Sequence, residues 1–203
     1  IDGKSFARSG VVVVTINYRV NVDGFMKIPG VPANLAIRDM LFATQWVKEN
    51  IAAFGGDPNR ITVMGQSAGA THIGSMLASP LGAGLFEQAI LMSGSHLAQW
   101  TPEQARYTNG NTTLFKPYVD GTVLKKRVVD SVADGMGKNV SVIIGCTADE
   151  WRYVTAPTGE IDRLTQKDVQ FILDSIKANQ SLAEAYRQNG RGKSDGEIYT
   201  ALQ

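Results

Sequence analysis

Apolar residues fall into two kinds of run along this chain. Val11 to Tyr18 reads VVVVTINY, a β-branched stretch with almost no polar interruption, and it predicts a strand covered on both faces in a parallel sheet. From Pro32 to Asn50 the period changes: Ala36, Met40, Ala43, Val47 and Ile51 recur at three- and four-residue steps, widened by Ile37 and Leu41. That spacing predicts an amphipathic helix with Pro32 at its start. FGGDPNR (Phe54 to Arg60) then supplies turn chemistry, and Ile61 to Met64 reads as the next buried strand. Ala68 to Leu77 predicts a helix, Ser79 to Gly84 a loop, and Ala89 to Met92 a third strand.

After Trp100 the pattern thins. Thr101 to Arg106 fits a short helix, Tyr107 to Thr113 is polar and turn-prone, and Val140 to Gly145 predicts a fourth strand. Val169, Ile172, Leu173 and Ile176 follow the helical template, and Leu182 to Tyr186 and Glu197 to Leu202 fit shorter helices. Strands alternating with helices imply right-handed crossovers and an α/β fold, a mostly parallel sheet with helices on both faces. Ligands in such sheets bind beyond the carboxyl ends of the strands.

At 203 residues the chain can bury one sizeable core, and a single domain is expected over 1–203. Twenty basic against nineteen acidic side chains give a net charge of +1, so nothing in the balance favours nucleic acid, an anionic membrane or a strongly charged substrate, and no nucleic-acid partner is expected. The single cysteine, Cys146, excludes an internal disulfide, suits a reducing compartment, and reads as a small buried hydrophobe beside Ile143 and Ile144. No apolar run reaches the roughly 18 residues of a membrane span. The sequons at Asn111, Asn139 and Asn179 read as chance matches in a polar-rich chain.

The chemistry concentrates at Gly65-Gln66-Ser67-Ala68-Gly69, a G-x-S-x-G pattern. It sits where the pattern demands, with ITVM before it as a strand and ATHIGSML after it as a helix. A serine hydroxyl is a weak nucleophile, so a fold must expose it, set a base against it and offer donors to the oxyanion. A sharp strand-to-helix turn exposes Oγ at the cost of crowding, which glycines at 65 and 69 relieve. Ala68 N–H, at the helix N-terminus, can face a negative oxygen. The plainer alternative is a serine in a small-residue turn.

NLAIRDMLFATQWVKENIAAFGGDPNRITVMGQSAGA (Asn34 to Ala70), followed by SPLGAGLFEQAILMSGS (Ser79 to Ser95), resembles the type-B carboxylesterases, the cholinesterase-like and para-nitrobenzyl-esterase-like branch of the α/β-hydrolases. NIAAFGGDP (Asn50 to Pro58) is the most discriminating stretch. The resemblance implies an α/β-hydrolase fold and a carboxylic-ester hydrolase working through an acyl-enzyme. It makes Ser67 the nucleophile, with Gln66 where the family carries glutamate. GCTADEW (Gly145 to Trp151) matches the family segment that holds the triad acid, which assigns that role to Glu150. Trp151 stands where the family has glycine, and Ser93 matches a serine that supports the triad. Such chemistry needs no metal or organic cofactor and acts on a small-molecule ester; LASPLGAGLF (Leu77 to Phe86) and the apolar flanks favour small or medium apolar acyl and alcohol groups.

The family's histidine has no counterpart after Glu150. His72 reads as a packed or surface residue, and His96, beyond the third strand, is a weak substitute base. The H-G-G-G segment that supplies further oxyanion donors is also missing, and the interval from Ser93–Trp100 to Leu114–Gly121 is shorter than in the family. The expectation is a piece of a longer α/β-hydrolase domain, with segments missing before residue 1, near 107–113 and after 203. The competing expectation is a non-catalytic cholinesterase-like binding protein or an inactive fragment.

Overall fold

The computed structural model describes residues 2–94, 116–176 and 178–202, and it divides the chain into two compact units, Ile1–Gly145 and Cys146–Gln203.

The first unit is built on three parallel strands, β1 (Thr62–Gln66), β2 (Gln88–Met92) and β3 (Ser141–Gly145), in that spatial order. Thr62 pairs with Gln88 and Gln66 with Met92, while Gln88 pairs with Ser141 and Met92 with Gly145, so all three strands end level. Each parallel connection needs a crossover, and helix α4 (Ala68–Leu77) makes the one from β1 to β2. Ala70, Ile73 and Met76 of α4 are buried with Ala89 and Leu91 of β2 in one core.

Helix α3 (Leu35–Asn50) adds Ala36, Ile37, Met40 and Leu41 to that core, the stripe its periodicity predicted. It begins three residues after Pro32, behind Asn34, whose φ of 52° lies in the left-handed region that Asn tolerates best among residues with a side chain. Asn34 is buried and its amide is paired on both sides: Nδ2 donates to Tyr118 O at 2.8 Å and Oδ1 accepts from Tyr118 N at 3.1 Å. This pair ties the 117–119 segment to the start of α3. At the far end of α3, Lys48 meets Glu87 at 3.1 Å, and Glu87 also accepts Ile61 N–H at 3.0 Å, which fastens the start of β1 to the start of β2.

Two short helices, α1 (Lys4–Arg8) and α2 (Asn21–Phe25), flank the apolar run at 11–18. That run is not the strand expected. No ladder pairs it with β1, and Val11 is 53% and Val14 44% exposed. A strand exists only through a hydrogen-bonded neighbour, and among the described residues none lies beside this one. Tyr18 alone from the run packs on the core. Arg19 clamps the following segment to α3: its N–H and Nε donate to Asp39 Oδ2 at 3.0 and 2.8 Å. The guanidinium holds the Asp39 carboxyl below its ordinary range.

Helix α5 (Val128–Ala133) contributes Val128 to the core. Strand β3 forms where expected but is exposed along its length, with Ile143 68% and Ile144 63% exposed. Cys146, expected to be buried beside them, is exposed as well: among the described residues β3 pairs only with β2 and stands at the edge of the sheet.

The second unit is helical, with α6 (Arg152–Thr155), α7 (Gln166–Ser175), α8 (Gln180–Gln188) and α9 (Asp195–Leu202). Val169, Leu173, Ala183 and Ile198 form its small core. Thr165 and Asp168 form a capping box on α7, satisfying N–H groups that the first helical turn leaves open. Asn179 caps α8 by accepting Ser181 N–H at 3.1 Å.

Candidate active site

Ser67 stands between the last residue of β1 and the first of α4, with φ 54° and ψ −119°. That conformation is strained for a residue with a Cβ, at a cost of about 1–3 kcal/mol, and strain of this kind concentrates at functional sites. Three contacts hold it. Ser67 N–H donates to Met92 O at 2.9 Å, and Ser67 O accepts from Thr71 N at 3.0 Å and Thr71 Oγ1 at 3.2 Å. The residue is thus gripped by the end of β2 on one side and its own helix on the other, while its side chain is exposed.

Gly65 shows why the turn needs glycine. A Cβ there would lie 2.6 Å from the carbonyl carbon and 2.8 Å from the oxygen of Gly69, contacts that backbone cannot yield. The same argument does not reach Gly69, where a Cβ would meet nothing within 4 Å. Ala68 is the first residue of α4, directly after Ser67, and N–H groups of a first helical turn have no acceptor within the helix, so the positive end of α4 begins beside Ser67. Gln66, at the exposed end of β1, puts a neutral amide next to the nucleophile candidate.

Ser93 repeats the geometry one strand over. It follows the last residue of β2, has φ 53°, and donates its N–H to Gly145 O at 2.7 Å. The anchoring contacts of Met92 O and Thr71 with Ser67 carry no signal in the motif itself, since Met92 acts through its backbone and Thr71 lies one turn into α4.

Glu150 belongs to the second unit, in the turn after Cys146, half-buried, with Oε1 accepting Thr147 N–H at 2.9 Å. Arg152, two residues on, meets Glu197 at 3.7 Å. Trp151 leads into α6 and is 41% exposed.

His72 packs as expected. It is 5% exposed, edge-on to Tyr18 with ring centroids 5.3 Å apart and tilted against Phe25 at 5.2 Å. Nδ1 is buried with no hydrogen-bond partner among the described residues, and burial pushes the imidazole down to about 4. A ring so enclosed and so weakly basic cannot serve an exposed serine. His96 and the segment 107–113 lie outside the described residues. Two concavities in the first unit, of about 670 Å³ between 27–33 and 118–121 and about 330 Å³ beside Arg19, include none of residues 65–69. Among the described residues no cluster of His, Cys, Asp or Glu is placed to hold a metal ion, and no helix is long and apolar enough to cross a membrane.

A parallel sheet with a strained, exposed serine between a strand and the helix that crosses back over it defines the α/β-hydrolase class. The sequence model of the carboxylesterase family matches residues 1–113, and the chain belongs to that family. It is 37% identical over 209 residues to the fumonisin B1 esterase of Sphingopyxis macrogoltabida, covering 83% of this chain and 38% of that protein. It is 48% identical over 122 residues to the mouse (Mus musculus) cholinesterase, covering 57% of this chain and 20% of that one. The crystal structure of a Geobacillus stearothermophilus carboxylesterase superposes with a TM-score of 0.81 at 31% identity, over 98% of this chain and 50% of that one. The chain therefore spans half or less of the length of each of these relatives.

Proposed function

We propose that this chain carries the nucleophile and the triad acid of a carboxylic-ester hydrolase. Ser67 Oγ attacks the ester carbonyl, and Ala68 N–H holds the oxyanion that forms. Glu150 orients and stabilises a histidine that lies outside residues 1–203, and that histidine takes the serine proton and returns it to the leaving alcohol. The acyl-enzyme is then released by water. The substrate class is a small-molecule ester with apolar acyl and alcohol groups, and the two units are parts of one α/β-hydrolase domain. The observation that carries this reading is the backbone of Ser67, held at φ 54° and ψ −119° by Met92 O and Thr71 with its side chain exposed.

A fluorophosphonate probe applied to the complete polypeptide, followed by peptide mapping, tests it. Labelling at Ser67 that disappears in Ser67→Ala is expected. No labelling in a polypeptide that contains the downstream histidine would overturn the reading and leave a binding protein on a hydrolase fold.

A further inference from the structure

Gly94, two residues beyond β2, lies against the first turn of α4. A Cβ at this position would stand 2.7 Å from Ala70 Cβ, 3.0 Å from Thr71 N and 3.1 Å from the Ala70 carbonyl carbon. Ala70 is fully buried, so the helix has no room to retreat. The backbone of Gly94 has no positive φ, unlike that of the residue before it, so its own conformation does not demand glycine. What demands it is the closeness of the two backbones.

That closeness bears on Ser67 through two links already described. The exit of β2 holds Ser67 N–H through Met92 O at 2.9 Å, and the first turn of α4 holds Ser67 O through Thr71 at 3.0 Å. Gly94 sits where these two holders touch. We infer that Gly94 is a positioning residue: the space left by its missing side chain sets the separation between the β2 exit and α4, and so aims Ser67 Oγ and Ala68 N–H. The inference rests on the reading of Ser67 as nucleophile. Gly94 lies outside the G-x-S-x-G motif and is placed to act on the reaction only through the helix.

The test is Gly94→Ala in the complete polypeptide, with p-nitrophenyl butyrate as probe substrate. A displacement of the order of 1 Å lowers kcat by about 10- to 100-fold, with KM within about twofold of the parent. Ala70→Gly removes the atom nearest the new methyl and leaves the backbone contacts at 3.0 and 3.1 Å, so Gly94→Ala/Ala70→Gly is expected to recover part of the lost kcat, while Ala70→Gly alone stays near the parent. The inference is overturned if Gly94→Ala turns over at the parent rate, or if the double variant is as slow as Gly94→Ala. Should Gly94→Ala fail to fold, the double variant decides: a folded double variant with kcat within about tenfold of the parent supports the inference, and a slower or an unfolded one overturns it. Parent protein that fluorophosphonate does not label at Ser67 sinks the nucleophile reading itself, whereas labelled parent with a fully active Gly94→Ala sinks only the role of Gly94.

Discussion

Ser67 and Ser93 occupy equivalent points on adjacent strands. Each follows the last residue of its strand, each has a positive φ, at 54° and 53°, and each gives its N–H to the last carbonyl of the next strand, Met92 at 2.9 Å and Gly145 at 2.7 Å. The carboxyl edge of the sheet is therefore stitched from β1 through β2 to β3 by backbone alone. The serine at one end of this series inherits the rigidity of the whole edge, which a nucleophile needs if it is not to search for its geometry at every turnover.

Strain at Ser67 should be measurable as stability withheld. Ser67→Gly removes the Cβ that makes φ 54°, ψ −119° costly and is expected to raise stability by about 1 kcal/mol, after the extra flexibility of glycine in the unfolded chain is subtracted. Ser67→Ala keeps the Cβ and stays within about 0.5 kcal/mol of the parent. Both lower kcat by about 10⁴-fold or more. Urea unfolding beside ester turnover checks this, and equal stability of the Gly and Ala variants would contradict it.

The two glycines of the motif should behave differently. Gly65→Ala forces a methyl to 2.6 Å from Gly69 backbone and is expected to cost at least about 2 kcal/mol. Gly69→Ala has open space and a helical backbone, so it is expected to be neutral or to stabilise by up to about 1 kcal/mol. Denaturant midpoints of the two variants would show it, and comparable losses would refute it.

Acid should loosen the helix behind Ser67. The folded state holds the His72 pKa at about 4 against an ordinary 6.5, because burial disfavours the imidazolium. The unfolded chain therefore binds more protons between those values. The stability due to a neutral His72 is complete above about pH 6.5, is lost as pH falls towards 4, and amounts to at most about 3 kcal/mol. His72→Phe is expected to flatten the pH dependence of thermal unfolding across that window, and an unchanged slope would remove His72 from the account.

Glu150→Gln keeps the volume of the side chain and an acceptor for Thr147 N–H while removing the charge. With Glu150 as triad acid, kcat/KM for an ester falls by about 10²- to 10⁴-fold, with the melting temperature close to the parent's. A loss of less than about fivefold would move the acid elsewhere.

The local parts of this molecule could be read from its residues, and the non-local ones could not. Strand β1, the turn at Ser67 and helix α4 are consecutive, so small residues and period suffice to place them, and α3 announces its buried face through Ala36, Ile37, Met40 and Leu41. Val11 to Tyr18 has the same strand-like composition, yet a ladder needs a neighbour, and which neighbour a segment finds is not written in the segment. Cys146 failed as a buried residue on similar grounds: Ile143 and Ile144 suggest a covered strand, but coverage depends on layers supplied from far along a chain. At the candidate site, Ser67, Ala68 and Glu150 are proposals that motif and resemblance supply. The grip of Met92 O on Ser67 and the close approach of the Gly94 backbone to Ala70 do not follow from motif or resemblance, since one is a backbone contact and the other depends on a missing side chain.

The exposure of Cys146 makes the chain easy to instrument. It is the only thiol in the sequence, it is open to reagents, and it comes one residue after Gly145, whose carbonyl ends the stitched edge. A single maleimide fluorophore would attach there without any engineering of competing sites, giving an optical reporter one residue beyond the strand end to which Ser93 is tied.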